Sequence, residues 1–76
     1  MDAKPFGYKN GYAVQLKDGT YLDGYLFCSD WIASIAVSTH GQSRMIRAHR
    51  IQYEDGAWSP VQEGHVNSNF EVVKHP

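Results

Sequence analysis

Residues Tyr12 to Lys17 alternate in character, and Asp18-Gly19 follows them directly. Tyr12, Val14 and Leu16 fall on one side of an extended chain, with Ala13, Gln15 and Lys17 on the other, which is the period of a half-buried strand. Asp-Gly is the dipeptide that most cheaply reaches the positive φ a two-residue hairpin turn needs. The chain is therefore expected to turn back into a second strand, Thr20 to Cys28, with Leu22, Leu26 and Cys28 on its inward side. Tyr21, Asp23, Tyr25 and Phe27 point outward, as barrel exterior or subunit interface. Gly24, in mid-strand, permits a sharp bend or bulge.

The same reading extends along the chain. Ser29-Asp30 is a turn. Trp31 to Thr39 is a third strand with Ala33, Ile35 and Val37 inward. His40-Gly41-Gln42 is a loop, Ser43 to Ala48 a fourth strand and Arg50 to Glu54 a short fifth. Pro5, Gly7 and Gly11 mark residues 1–11 as an N-terminal loop segment. No stretch reads as a helix of any length. Asp55-Gly56 opens a C-terminal extension over 55–76. There Trp58-Ser59-Pro60 is barred from a central strand, because proline lacks the donor. Residues 62–69 read as polar loop, and Phe70 to Val73 as one further strand. The expected fold class is all-β: a small, strongly bent five-stranded open barrel over 12–54 with an irregular C-terminal extension.

Seventy-six residues make one domain. A chain of this size buries only about 60% of its extended surface, so its margin is small and a second copy would help it. The 42% apolar and 13% aromatic content argues against disorder. The net charge of −1 excludes a strongly cationic nucleic-acid binder of the histone type. A single cysteine, Cys28, excludes an intrachain disulfide framework and reads as a small buried hydrophobe. No apolar run is long enough to span a bilayer, and no apolar signal core stands at the N-terminus, so a soluble, cytoplasmic protein is expected.

Charge is uneven. Residues 40–50 hold Arg44, Arg47 and Arg50 with His40 and His49 and no acid, whereas Lys74 faces Glu54, Asp55, Glu63 and Glu71 in residues 51–76. This basic segment is either a solvated strand face or an anion site. Arginines three apart alternate faces in one continuous strand, so only a turn near Ala48 and His49 brings Arg47 and Arg50 together.

Residues 12–53 resemble the Sm-like family of small β-barrels. The first motif is matched by Val14-Gln15-Leu16-Lys17-Asp18-Gly19-Thr20-Tyr21-Leu22-Asp23-Gly24-Tyr25-Leu26 and then Asp30. The second is matched by Ile46-Arg47-Ala48-His49-Arg50-Ile51-Gln52-Tyr53, with Ala48 where the family has glycine. The resemblance implies that the fourth strand of one copy pairs with the fifth of the next, closing a homo-oligomeric ring of about five to seven copies. It implies single-stranded RNA bound around the pore by the loop after Asp30 and by Arg47. The family's base-stacking and base-bonding positions hold Ala33 and Ser34 here.

The candidate RNA- or anion-binding residues are therefore Asp30, Trp31, Ser34, Arg44, Arg47, His49 and Arg50. Trp31 offers a stacking face in place of Ala33, and His49 a hydrogen bond. Trp31 and Trp58 are alternatively core aromatics. The histidine spacings match no metal-ligand motif, no nucleophile accompanies Asp30 and His49, and no phosphate loop occurs, so no metal, cofactor or enzymatic activity is expected. The competing reading is an SH3-like barrel that acts as a protein-interaction module without RNA affinity. A third is a ring that holds a small anion or a partner protein.

Overall fold

A computed structural model describes residues 3–74; the outermost residues of the expected N-terminal loop and C-terminal extension, and with them His75, lie outside the described residues. The chain is mostly strand (44%) with a smaller helical part (19%), built on antiparallel pairing. Its centre is a long two-stranded ribbon. β1, Pro5–Leu16, pairs with β2, Ser43–Tyr53, through an unbroken register from Gly7↔Gln52 and Tyr8↔Ile51 to Leu16↔Ser43.

Both flanks of this ribbon are lined. After the turn at Lys17–Gly19, residues 20–28 run back along β1, touching it at Gln15↔Tyr21 and Tyr12↔Phe27. Tyr12 and Phe27 exchange both backbone bonds, at 2.9 and 2.7 Å. Between them Leu22–Gly24 form one turn of 3-10 helix, with Asp23 and Gly24 at positive φ. On the other flank Trp58 bridges Gln52, and β3, Gln62–Glu63, pairs with His49 and Ala48. A separate hairpin of β4, His65–Val66, and β5, Val72–Val73, follows.

The expected third strand is a helix, α1, Asp30–His40. A strand would turn Ala33, Ile35 and Val37 to one side, but Ile35 is 55% exposed. The covered residues are Ile32, Ala33, Ala36 and Val37, the spacing of a helical stripe. Its β-branched content lowers intrinsic propensity, and packing on β1 and β2 overrides it. Asp30 in the first turn and His40 in the last suit the helix dipole. Gly41, at φ 58°, ends the helix and donates its N–H to Val37.

Other expectations are corrected in the same way. Residues 5–11 are strand, not loop. Pro5 begins β1, where a missing donor is tolerated, and Gly7 sits at a register shift. Gly11 is required by space: a Cβ there would lie 2.4 Å from the Phe27 carbonyl oxygen. The fourth and fifth strands are one strand, β2, with no turn at Ala48 and His49. The second strand is reduced to two bridges, and the sheet does not close into a barrel. Residues 62–69, read as loop, contain β3 and β4. The strand expected over 70–73 is present only at Val72–Val73. Cys28 is exposed, in the bend before α1.

Alternation along the ribbon defines its two faces. Lys9, Gly11, Ala13 and Gln15 share one with Arg44, Ile46, Ala48 and Arg50. There Leu26 and Val61 close over Ala13 and Ala48, with Tyr21 and Ile46 at the margin. Tyr8, Asn10, Tyr12 and Val14 share the other with Met45, Arg47, His49 and Ile51. α1 covers one end of that face, where Val14 and Ala33 are fully buried. The β4–β5 hairpin covers the other: the Asn10 side chain donates to the Val66 carbonyl and accepts from its N–H, and Tyr8 meets Phe70 edge-on.

The hairpin turn carries its own lock. One Asp18 carboxylate oxygen accepts from the Thr20 hydroxyl at 2.6 Å and from the Thr20 N–H at 2.9 Å. Those bonds, the hydroxyl first, hold the Asp18 carboxyl below its ordinary range. The turn contribution is present above that ordinary range and is lost as pH falls through the lowered value. An NMR pH titration is expected to show Asp18 ionising at lower pH than an unperturbed aspartate, and Thr20→Val is expected to move it back up. An ordinary titration in the native chain would contradict the assignment.

Candidate functional site

The first face of the ribbon carries a cationic cleft at the end remote from the hairpin turn. Lys9 and Arg50 are direct cross-strand partners there. Like charges placed opposite each other destabilise a sheet by roughly 0.2–1 kcal/mol. Among the described residues, neither cation is in an ion pair. The Arg50 Nε donates to the Ser59 carbonyl at 2.8 Å, and its terminal nitrogens have no protein partner among the described residues. Its guanidinium lies 5.7 Å from the centroid of the Trp58 ring.

Aromatic walls complete the cleft. Lys9, Arg50 and Trp58 line a cavity of about 310 Å³ with Gly24, Tyr25 and Leu26. Such a volume is at the lower end of small-ligand sites, about 300–1,000 Å³. Each wall has a local cause. The bend at Asp23 and Gly24 folds residues 22–26 over the first face, so Leu26 is buried while Tyr25 stays 57% exposed. Tyr25 is propped edge-on by Phe27, at 4.9 Å between centroids. Trp58 is held by its bridge to Gln52, after the turn in which the Asp55 carboxylate accepts from the Ala57 N–H. The Ser59 hydroxyl accepts from the Ile51 N–H and donates to the Pro60 carbonyl, which fixes the segment carrying Trp58. The cleft thus combines two cations and two partly exposed rings, with no carboxylate in its lining among the described residues.

The residues expected from sequence scatter around this cleft. Arg50 is in it. Arg44 lies on the same face at the far end of the ribbon, where Gln15 Oε1 accepts from its Nε and Nη2 at 2.9 and 2.7 Å. Arg47 is on the opposite face, 5.9 Å from the Tyr12 ring centroid. An unbroken β2 thus separates Arg47 from Arg50. Asp30, Trp31 and Ser34 are on α1, also on the opposite face, where the Ser34 hydroxyl approaches the Met45 sulfur at 4.0 Å. Trp31 is 64% exposed.

His49 is not a surface contact: it is 1% exposed. Its Nδ1 lies 3.0 Å from the Gly64 carbonyl oxygen. A carbonyl only accepts, so Nδ1 is the donor, and Nε2 is buried with no hydrogen-bond partner among the described residues. His49 is a fastening for the 62–66 segment. His49→Ala is expected to cost about 2–4 kcal/mol through a cavity and a lost buried bond, measured by urea unfolding, with ligand affinity kept at temperatures where the variant is folded. A variant of native stability would refute this role.

Lys9, Tyr25 and Trp58 did not stand out as binding residues in the sequence. The lysine sits in a segment whose single proline and two glycines suggest loop, and Trp58 follows a turn signal outside the basic segment. Comparison with known proteins finds no family model that matches the chain, no matching curated protein and no matching solved structure.

Proposed function

We propose that this chain is a non-enzymatic binding module that takes single-stranded RNA, or a chemically similar anionic strand, at the Lys9–Arg50 cleft. The observation that carries the reading is the cross-strand couple of Lys9 and Arg50, without an ion-pair partner among the described residues and walled by Trp58 and Tyr25. Phosphates seated at the two cations, one at each, would relieve their repulsion, and a base has ring faces to stack against. Base–aromatic stacking contributes roughly 1–3 kcal/mol per base and is tolerant of sequence, which suits a cleft with few groups able to read base edges.

The expected ring of copies needs a free strand edge. β2 has neighbours on both sides within the chain, β1 and residues 58–63, so a ring would have to close elsewhere. Binding at the cleft does not depend on it.

The test uses Trp58 as its own reporter. Trp31→Phe leaves Trp58 as the only tryptophan. Titration with oligouridylate at low salt is expected to quench its fluorescence saturably, with a slope of log affinity against log salt near −1.4 for two phosphates held. No quenching, with the fold intact by circular dichroism, would defeat the reading.

A further inference from the structure

Resting on that reading, we infer that the cleft is one end of an extended polyanion track whose other end is a second phosphate-binding hollow at Gln15, Lys17 and Arg44. The bound species is then a strand of several phosphates rather than a single nucleotide.

The hollow lies beside the hairpin turn, with a volume of about 590 Å³, and is lined by Gln15, Lys17, Gln42 and Arg44 among others. It is preorganised. The Gln15 amide donates to the Gly19 carbonyl at 3.3 Å, which turns its oxygen toward Arg44. That oxygen accepts from both Nε and Nη2 of Arg44, so the guanidinium is fixed by a neutral partner and keeps its full charge. Its remaining N–H groups have no protein acceptor among the described residues. The nearby acid, Asp18, is engaged by Thr20 within the turn. A fixed guanidinium with free donors next to a lysine is suited to phosphate.

The two sites share a face. Lys9↔Arg50 and Gln15↔Arg44 lie six residues apart on one unbroken ladder. Even alternation puts both pairs on the same side, roughly 20 Å apart at about 3.4 Å per residue. Residues 20–27 run along β1 over this span, from the Gln15↔Tyr21 bridge to the Tyr12↔Phe27 bridge, and bring the exposed Gly24 and Tyr25 to the cleft end. A strand of about four nucleotides or more can follow such a surface, within the range of footprints known for small β-folds. Contact at the second hollow is then intramolecular and raises affinity without altering the first. Asp23, exposed in the same bend, is the carboxylate the strand would pass.

The experiment compares uridine dinucleotide phosphate with a uridine hexanucleotide on the native chain, Lys17→Gln/Arg44→Gln and Lys9→Gln/Arg50→Gln. The native chain is expected to bind the hexamer more than tenfold tighter than the dimer. Its salt slope should steepen from about −1.4 to about −2.8, as held phosphates rise from two to four. Lys17→Gln/Arg44→Gln should reduce the hexamer to dimer-like affinity and slope while leaving the dimer unchanged. Asp23→Asn should strengthen the hexamer alone, by about two- to threefold at moderate salt. Hexamer affinity that survives Lys17→Gln/Arg44→Gln, with the dimer still lost in Lys9→Gln/Arg50→Gln, overturns the track and leaves the cleft standing. Binding that ignores Lys9→Gln/Arg50→Gln altogether overturns both.

Discussion

Gly11→Ala is expected to lose about 3–5 kcal/mol of folding stability, a large share of the total for a domain of this size. The glycine is not in a left-handed conformation, so the cost is one of space. Its Cβ would lie 2.4 Å from the Phe27 carbonyl oxygen and 3.1 Å from Leu26 Cγ. The carbonyl belongs to backbone that is paired with Tyr12, so it has no flexible end to swing aside. Relief requires residues 21–27 to lift from β1. That breaks the two Tyr12–Phe27 bonds, at about 1 kcal/mol each, and uncovers Leu26, at about 1.5–3 kcal/mol. Gly24→Ala is the contrast: at φ 58° with open space around it, it should cost only about 1–2 kcal/mol. Urea unfolding of the two variants checks the ordering. Because residues 24–26 also line the cleft, Gly11→Ala should weaken ligand binding as well.

The second large effect has two signs in one variant. Lys9→Gln/Arg50→Gln should weaken oligouridylate binding by about a hundredfold or more, from two charge-assisted contacts worth about 1.5–3 kcal/mol each. The same change removes two like charges from opposite positions, which should return a few tenths of a kcal/mol to the unliganded fold. Loss of the Arg50–Ser59 bond works against that gain, so Lys9→Gln alone gives the cleaner reading. It should bind about tenfold more weakly or worse while melting no lower than the native chain. A site that weakens its own fold when empty is what a binding role predicts and a structural role does not. Lys9→Gln that melts lower and binds equally well would assign Lys9 to the fold instead.

Much of the fold was legible where local chemistry decides it. Asp18-Gly19 and Asp55-Gly56 do turn the chain, because an aspartate side chain and a glycine satisfy a turn whatever surrounds them. The alternation of Tyr12–Leu16 is real, and so is the bend at Gly24. The errors arose where tertiary contact overrides local preference. Residues 31–39 are apolar at six of nine positions, so periods of two and 3.6 both fit them, and only the neighbouring ribbon selects the helix. Pro5, Gly7 and Gly11 read as breakers. In the structure they are a strand start, a register shift and a close approach.

The site was half legible for the same reason. An arginine-rich segment without acids signals an anion, and the proposed cleft and hollow draw Arg50 and Arg44 from it. Which arginines act together depends on whether β2 breaks at His49, and the segment alone leaves that open. Lys9 becomes significant only through its register partner, and register is a property of two strands.

The most direct measurement is a ¹H–¹⁵N NMR titration of the native chain with oligouridylate, following the two tryptophan indole signals. Trp58 lines the cleft, while Trp31 stands on the opposite side of the ribbon. The account predicts that the Trp58 indole and the amides of Lys9, Tyr25 and Arg50 shift together, with Trp31, Ser34 and Arg47 unmoved. Shifts confined to Trp31, Ser34 and Arg47 would place the ligand on the α1 side and contradict it.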